Sequence, residues 1–539
     1  MYQETKDRPV FLRVWIALAA AVLMTLIMTG TVHAAGSMIV QSCTINGNNV
    51  KVTAFGNAAS DDGMLYLFAE PVYSNGITTS PVTSVPVSGS VTFSCPLNAR
   101  QADSKLCSKF VVAAKQGGVY VPVSNYSYIT NPEAIASCTI ARTNVGLKKG
   151  LLVDSAKLTS PEISDLGVKQ AIYNIPLSNI IGPTTNPVYP TVNYSYNGKT
   201  YQFNGLVVAE YDNIFSTLTN RGCAVTAVLL GNSNGRAPQI IHPLARNGVS
   251  SHYYMLNAAD AAGAEQLAAT VSFLANRYSN KGIGKVDNWI VGNEITAKRE
   301  WNYVNISDIN TYAEEYAKAF RVIYNSIKSE NANAKIYISI DQQWNRNRKD
   351  PNNFDGRDIL DTLNANISGQ GNIHWDVACH PYPVPLTHGA YWTGSARYKS
   401  MVQHSPDSPF LTMENIEVLT DYLCQPAFLA LDGQVRSVIC SEVGYALNQT
   451  QEIQAAAFTH AYMTAMNNQH IDAFILSRQT TSPEEIVLGL DYGLTNTDGS
   501  HKLIYDYYKN IDGPNSAEYQ ANAMAVMGIT DWSQVMQAR

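Results

Sequence analysis

The chain has 539 residues, of which 45% are apolar and 15% are charged, and its formal net charge is −6. This composition allows a large buried core and argues against a disordered chain. The few basic residues are scattered along the sequence, which argues against a surface for nucleic acid or anionic lipid. An uncharged or basic partner is therefore expected.

The first 34 residues have the layout of a secretory signal peptide. Basic residues precede an apolar run from Val14 to Met28, and Val32-His33-Ala34 offers small residues at the positions that a signal peptidase reads. An uncleaved membrane anchor is the alternative, but the run is shorter than the roughly 20 residues of a spanning helix. We expect residues 1–34 to be removed, leaving a secreted protein with no stable membrane partner.

Eight cysteines accompany this export signal, and disulfides are permissible outside the cell. Four of them precede residue 140, where pairing would stabilise a small domain, although the connectivity is open. No Cys or His residues have the spacing of metal ligands, so neither a metal nor a cofactor is expected.

Residues 37–138 show short strand-like runs separated by Gly, Asn, Ser and Pro. The clearest runs are Asn49 to Ala54, Met64 to Phe68, Val91 to Ser94 and Phe110 to Ala114. This pattern predicts a small antiparallel, sandwich-like β domain. Carbohydrate binding and a spacer or packing role both remain open for it.

Residues 142–515 alternate strand-like and helical stretches, the pattern of parallel βα units. Eight strands are predicted, which is the number that closes a (β/α)8 barrel. They are Lys149 to Asp154, Gln170 to Pro176, Ala224 to Gly231, Val286 to Glu294, Lys335 to Ile340, His374 to His380, Val435 to Glu442 and Ile471 to Ser477. Residues 516–539 are expected to form a helical tail.

Two of the intervening stretches show apolar residues at helical spacing. One runs from Ala258 to Tyr278, and the other begins after Ser307, which we expect to cap the helix. The stretch from Ile181 to Gln202 is rich in Pro, Asn and Tyr and is expected to form a wall of the active site.

Two predicted barrel strands end in glutamate. Val291-Gly292-Asn293-Glu294 closes the fourth strand, and Cys440-Ser441-Glu442 closes the seventh. Active sites of such barrels lie at the C-terminal ends of the strands, so the two carboxyl groups should face each other there. Two opposed carboxyl groups are what glycoside hydrolysis requires.

These two motifs resemble those of glycoside hydrolase clan A, whose members are retaining enzymes on this fold. The resemblance covers roughly residues 142–512 and is closest to a bacterial family of uncharacterised glycosidases. It implies that Glu294 is the acid/base, that Glu442 is the nucleophile and that Asn293 contacts the sugar 2-hydroxyl. Strict alternation along a strand would send Asn293 and Glu294 to opposite faces, so the strand must end or bulge there.

Further residues at strand ends are candidates for sugar binding. His380 and Tyr382 share one face after the sixth strand and resemble the clan's His and Tyr that orient the nucleophile and line the sugar site. Trp344 and Tyr445 are expected to offer ring faces to a sugar, and polar contacts are expected from Asn232 and Arg478. Trp301 and Trp392 are additional aromatic candidates.

The chain departs from the clan at two strands. The eighth strand ends in Ser477-Arg478-Gln479 without the tryptophan that many members carry, and the second strand lacks a clear counterpart of the arginine seen in some families. Three alternatives to a glycosidase remain open. A binding protein could keep the barrel without catalysis. Gly231 to Gly235 matches the Gly-x-Ser-x-Gly pattern of serine hydrolases, but no helix follows it directly, so we interpret it as a loop. Metal-dependent hydrolysis has little support, because His374 and His380 flank Asp376 at no recognised ligand spacing. The carboxyl separation would distinguish retention from inversion.

Overall fold

The computed structural model describes residues 36–280 and 282–537. The expected signal peptide, residues 1–34, lies outside the described residues, so export stays a prediction. Within the described part of the chain, no helix combines the length and the apolarity needed to cross a membrane.

The N-terminal residues form two antiparallel sheets that pack on each other. One sheet has the order β1-β2-β5, and the other has the order β4-β3-β6-β7 with β8 paired to β6. Every second residue of β5 is buried, which gives this strand an apolar inner face. The predicted sandwich-like domain is confirmed. Its strands are β1 (Gly36–Asn46), β2 (Asn49–Ala58), β3 (Met64–Glu70), β4 (Thr83–Pro86), β5 (Ser90–Pro96), β6 (Lys109–Gln116), β7 (Val119–Pro122) and β8 (Ser127–Tyr128).

Eight parallel strands then close into a barrel, as predicted. They are β9 (Lys149–Leu152), β10 (Gln170–Pro176), β13 (Ala224–Leu230), β14 (Asn288–Val291), β15 (Lys335–Ile340), β16 (Asp376–Cys379), β17 (Val438–Val443) and β18 (Ile471–Leu476). Buried Ile172, Ile290 and Ile439 belong to one apolar cluster contributed by several of these strands. The barrel interior is therefore a packed core, and function is left to the strand ends.

Helices and a hairpin surround the barrel. They are α1 (Glu162–Asp165), α2 (Leu177–Ile180), β11 (Val192–Tyr196), β12 (Lys199–Phe203), α3 (Gly205–Asn220), α4 (Ala261–Arg277), α5 (Lys298–Trp301), α6 (Ile309–Lys328), α7 (Gly356–Gly369), α8 (Ala396–Met401), α9 (Glu417–Leu423), α10 (Gln451–Asn467), α11 (Pro483–Val487), α12 (Leu503–Asn510) and α13 (Ser516–Met527). The cap of α6 is Asp308 and not Ser307, because the Asp308 carboxylate accepts a 2.8 Å bond from the Thr311 amide.

The stretch predicted to wall the active site lies elsewhere. It forms the β11–β12 hairpin, in which Phe203 stacks on Phe273 of α4 at 4.1 Å and the Tyr194 hydroxyl lies 2.9 Å from that of Ser272. The expectation was wrong because the tyrosines of this stretch bury against a barrel helix instead of facing the cavity.

The β domain packs at the end of the barrel where the strands begin. Asn325, near the end of α6, donates to the Leu106 carbonyl at 2.8 Å, and the Tyr128 amide donates to the carbonyl of Gln370, which follows α7, at 2.9 Å. The ends of these helices lead into β15 and β16, so the β domain lies away from the end of the barrel where the strands finish. This position favours the packing role over sugar binding at the active site.

All eight cysteines lie among the described residues, and the four that precede residue 140 form no disulfide there. Cys43 and Cys95 are buried in the core of the β domain, where burial raises the pKa of each thiol. The expected staple in this domain is absent from the described structure, and these side chains pack as small apolar groups.

Candidate active site

A cavity of about 610 Å³ opens at the C-terminal ends of the barrel strands. Its walls include the ends of β10, β14, β15, β17 and β18 and the loops that follow them. Both predicted carboxyl groups, Glu294 and Glu442, line this cavity together with Asn293, Asp341 and Tyr382. The cavity therefore contains the chemistry that the sequence places at the strand ends.

The backbone after β14 brings Asn293 and Glu294 to the same cavity. The strand ends at Val291, and both Gly292 (φ 73°) and Glu294 (φ 38°) adopt positive φ. This left-handed turn breaks the alternation that would separate the two side chains. The turn is held by the Ser339 hydroxyl, which accepts a 3.0 Å bond from the Glu294 amide.

Glu442 lies within β17, next to an irregularity in its pairing with β18. Its side chain is 26% exposed, and its Oε2 accepts a 3.3 Å hydrogen bond from the Tyr382 hydroxyl. The Tyr382 ring stacks on Tyr492 at 5.6 Å, which fixes the direction of the hydroxyl. An oriented donor of this kind stabilises the ionised carboxylate.

His380 lies between the two glutamates. Its Nδ1 is 2.7 Å from Glu294 Oε1 and 3.8 Å from Glu442 Oε2, so these two oxygens are separated by no more than the sum of the distances, about 6.5 Å. Burial opposes a charge on the imidazole, but the charge of Glu442 and the hydrogen bond with Glu294 outweigh it and raise the pKa of His380 to about 9. The protonated imidazole therefore lies within reach of both glutamate side chains.

Asp341, directly after β15, is a third carboxyl group in the cavity. It is buried, and it accepts hydrogen bonds from the Thr296 hydroxyl at 2.8 Å and the Gln343 amide at 3.0 Å. Burial and the charge of Glu294 raise its pKa to about 7, against the effect of these hydrogen bonds. Glu294 thus has a buried acidic neighbour.

One wall of the cavity comes from the loops after β13 and β14. Trp301 lines the cavity and stacks on His252 with their ring centroids 4.4 Å apart. Tyr253 lies beside them, and burial together with the charge of Glu442 raises its pKa. These rings supply apolar faces suited to the C–H surface of a sugar.

The opposite wall comes from the residues after β18. Arg478 lines the cavity and forms an ion pair with Glu485, which lines it as well. A second cavity of about 380 Å³ shares Leu152, Asn174 and Arg478 with the first. Arg478 therefore stands where the two compartments meet.

Five predicted sugar contacts line neither cavity. His380 is buried and contacts the two glutamates, and Trp392 packs against Tyr391. The other three are Trp344, Tyr445 and Asn232. Trp344 is fully buried and its indole donates to the Pro406 carbonyl at 3.1 Å, and Tyr445 is buried against Tyr391 at 5.6 Å. The side-chain oxygen of Asn232 accepts a 2.9 Å hydrogen bond from the Ser178 amide and so holds the loop after β10. For these three residues the expectation is corrected, because each side chain is used in packing or in loop contacts.

Several cavity residues were missed in the sequence. Asp341 could have been found by the rule that selected the glutamates, because it directly follows an apolar strand. Tyr253, Glu300 and Tyr492 come from long connections, and nothing in the sequence shows where these fold.

The alternative chemistries find no matching arrangement in residues 36–280 and 282–537. No group of His, Cys, Asp or Glu side chains there is placed to hold a metal ion. His374 precedes β16 and lies 3.6 Å from Asp376, the first residue of that strand. His380 follows the last residue of β16 and so lies at the opposite end of the strand. Ser233 is exposed in the loop that follows β13, and no helix begins directly after it, as a nucleophile elbow would require.

Three solved structures illustrate what the chain resembles. A family 39 glycoside hydrolase of Bacteroides cellulosilyticus WH2 has 14% identity and a TM-score of 0.42, over 87% of this chain and 80% of its own. A fungal β-1,4-galactanase has 14% identity and a TM-score of 0.41, over 68% of this chain and 100% of its own. A family 1 β-glucosidase of Thermotoga maritima has 12% identity and a TM-score of 0.39, over 71% of this chain and 96% of its own.

Sequence comparison adds one match. Residues 142–535 match the family of unknown function DUF5722, and no curated protein sequence is significantly similar. The fold therefore rests on the strand pairing of this chain, and its chemistry rests on the cavity side chains.

Proposed function

The chain belongs to the family of unknown function DUF5722, and we propose that it is a retaining glycoside hydrolase acting on an uncharged or basic poly- or oligosaccharide. The observation that carries the proposal is the proximity of Glu294 and Glu442. Their oxygens that contact the His380 nitrogen are at most about 6.5 Å apart. Retaining enzymes have carboxyl groups about 5 to 5.5 Å apart, whereas inverting enzymes need roughly 6.5 to 9.5 Å for a water molecule.

Glu442 is proposed as the nucleophile because its carboxyl group is oriented by the Tyr382 hydroxyl and lines the cavity. Its oxygen forms a bond to the anomeric carbon while the glycosidic C–O bond breaks. The Tyr382 hydroxyl donates to the attacking carboxylate, and Asn293, which lines the cavity, is proposed to contact the sugar hydroxyl next to the reacting carbon.

Glu294 is proposed as the acid/base. It gives its proton to the leaving oxygen in the first step and takes a proton from water in the second, when that water's oxygen displaces Glu442 from the anomeric carbon. Both steps use only groups of the cavity. We further propose that the enzyme acts outside the cell, since residues 1–34 have the composition of a signal peptide.

The test is reducing-sugar release by the mature protein from a broad panel of polysaccharides and aryl glycosides, with Glu442→Gln as the blank. Activity that is absent in the variant supports the enzyme and identifies its substrate class. Proton NMR of the first product formed should then show the anomeric configuration of the substrate. Equal activity of the variant, or an inverted first product, would contradict the proposal.

Silence across the panel would favour a carbohydrate-binding protein that keeps the barrel. Calorimetric titration of the wild-type protein with the same oligosaccharides separates these outcomes, because a binding protein retains affinity without turnover. Glu442→Gln is the matched control, since the amide is nearly isosteric with the carboxylate and should leave the fold intact.

A further inference from the structure

We propose that Asp341 is a positioning residue that forms a carboxyl pair with Glu294 and keeps one proton on that pair at neutral pH. This inference rests on the proposed function, because it concerns the proton that the acid/base must carry into the first step. It assigns a third carboxyl group to a site whose reaction chemistry needs two.

The geometry ties Asp341 to the turn that carries Glu294. The Thr296 hydroxyl, two residues after Glu294, donates to Asp341 Oδ1 at 2.8 Å and accepts from the Asp341 amide at 2.9 Å. The neighbouring Ser339 binds the amide of Glu294 through its hydroxyl and that of Ile295 through its carbonyl, each at 3.0 Å. The end of β15 is therefore fastened to the Glu294 turn at successive points.

Burial and the charge of Glu294 favour a retained proton on Asp341, whereas the His380 imidazolium opposes it. The titratable groups that face it are Glu294 after β14, and Cys379 and His380 at the end of β16. Among the described residues no cationic side chain forms an ion pair with the Asp341 carboxylate, and its hydrogen-bond donors are the neutral groups of Thr296 and Gln343. Two acidic groups that share a buried site do not both ionise readily.

This arrangement answers a difficulty in the chemistry of the acid/base. The imidazolium of His380 lies 2.7 Å from Glu294 and by itself favours the ionised carboxylate, which cannot protonate a leaving group. The buried Asp341 carboxyl group acts on Glu294 in the opposite direction. The rise in the pKa of Asp341 to about 7, caused by burial and by Glu294, agrees with a proton held between the two groups.

The first experiment is infrared difference spectroscopy of the mature protein between about pH 5 and 8, which detects protonated carboxyl groups without a substrate. We expect a buried carboxyl group that titrates near neutral pH and disappears in Asp341→Asn. In Glu294→Gln, its midpoint should fall by roughly one pH unit, because the like charge is gone. A neutral-pH signal unchanged in both variants would overturn the proposal, and so would its absence from the wild-type protein.

The second experiment is the pH profile of kcat/KM on the substrate found above. Asp341→Asn should move the alkaline limb to lower pH by roughly one unit, because the acid/base then loses its proton more easily. A merely structural role would lower kcat/KM equally at all pH values, and that result contradicts the pair.

Asp376→Asn is the matched control, since Asp376 is a buried aspartate at the other end of the barrel. The Asp376→Asn variant should lower the free energy of unfolding and leave the alkaline limb of the kcat/KM profile at its wild-type pH. Because the infrared measurement needs no turnover, a wild-type protein without activity would refute the proposed function while the carboxyl pair is still decided by its own signal. If Asp341→Asn does not fold, the shift in Glu294→Gln decides it.

Discussion

The imidazole of His380 lies closer to Glu294 than to Glu442, at 2.7 Å against 3.8 Å. The family resemblance implies a histidine that orients the nucleophile, whereas here the hydroxyl of Tyr382 contacts Glu442 and the histidine contacts the other carboxyl group. The two carboxylates are thus held by different donors. Removing each donor should have a distinct effect.

Replacing His380 with Gln should lower kcat/KM by roughly 10- to 100-fold, because a charge-assisted hydrogen bond to Glu294 is lost. His374→Gln is the control, since His374 lies before β16 at the opposite end of the barrel. Steady-state kinetics on the identified substrate measures both variants. Equal losses in the two would contradict a specific role of His380.

The same histidine should make stability depend on pH. Its pKa is raised from 6.5 to about 9 in the folded protein, so its protonation stabilises the fold fully below the unfolded value and this contribution is lost as pH rises through about 9. The difference in free energy of unfolding between wild type and His380→Gln should therefore shrink between about pH 6.5 and 9. Denaturant titrations at several pH values measure it, and a difference that grows with pH would have the wrong sign.

Replacing Tyr382 with Phe should lower kcat by roughly ten-fold with little change in KM, because a hydroxyl that holds the nucleophile is lost. Tyr462→Phe is matched to it, since the Tyr462 hydroxyl also bonds a carboxylate, Asp512 at 2.8 Å, away from the cavity. The Tyr462 variant should keep the wild-type kcat. A KM effect confined to Tyr382→Phe would instead point to a direct sugar contact.

Two tryptophans should respond in opposite ways. Trp301→Ala should raise KM by roughly 2- to 10-fold and leave the free energy of unfolding nearly unchanged, because its ring lines the cavity. Trp344→Ala should lower the free energy of unfolding by about 3–5 kcal/mol, because its ring is buried in the core. Steady-state kinetics and chemical denaturation on the same preparations distinguish the two variants. A higher KM in Trp344→Ala would show that Trp344 contacts the sugar.

Anionic sugars should be poor substrates. The carboxyl groups that line the cavity are Glu294, Glu300, Asp341, Glu442 and Glu485, and the guanidinium of Arg478 is already paired with Glu485. A neutral oligosaccharide should therefore have a kcat/KM roughly ten-fold or more above that of its uronic-acid counterpart, with a gap that narrows in salt. Preference for the uronic acid would show that Arg478 leaves its partner to bind the substrate.

The barrel could be predicted from the sequence because its signals are local. Each buried parallel strand is a short apolar run, and the predicted runs end within a few residues of the observed strands, as in β10, predicted and observed from Gln170 to Pro176. Glu294 and Glu442 could be selected for the same reason. Parallel strands all end at one face, so a polar residue that closes a run has a known location.

The edge strands and the loop contacts were not predictable in this way. β4 and β7 are only four residues long and half exposed, so they carry little alternation. Trp344 and Trp301 both follow barrel strands, yet one ring is buried against Tyr422 and the other faces the cavity. The choice depends on how long connections fold back, and composition does not encode this.

The sequence by itself thus determined the barrel, its catalytic end and the two glutamates, because strand period and strand order are properties of neighbouring residues. Only the tertiary structure decided how the carboxyl groups meet: His380 between Glu294 and Glu442, Asp341 buried beside the acid/base, and the left-handed turn at Glu294. These relationships join residues from separate strands, and the charge on each group is set by neighbours that are remote in the chain.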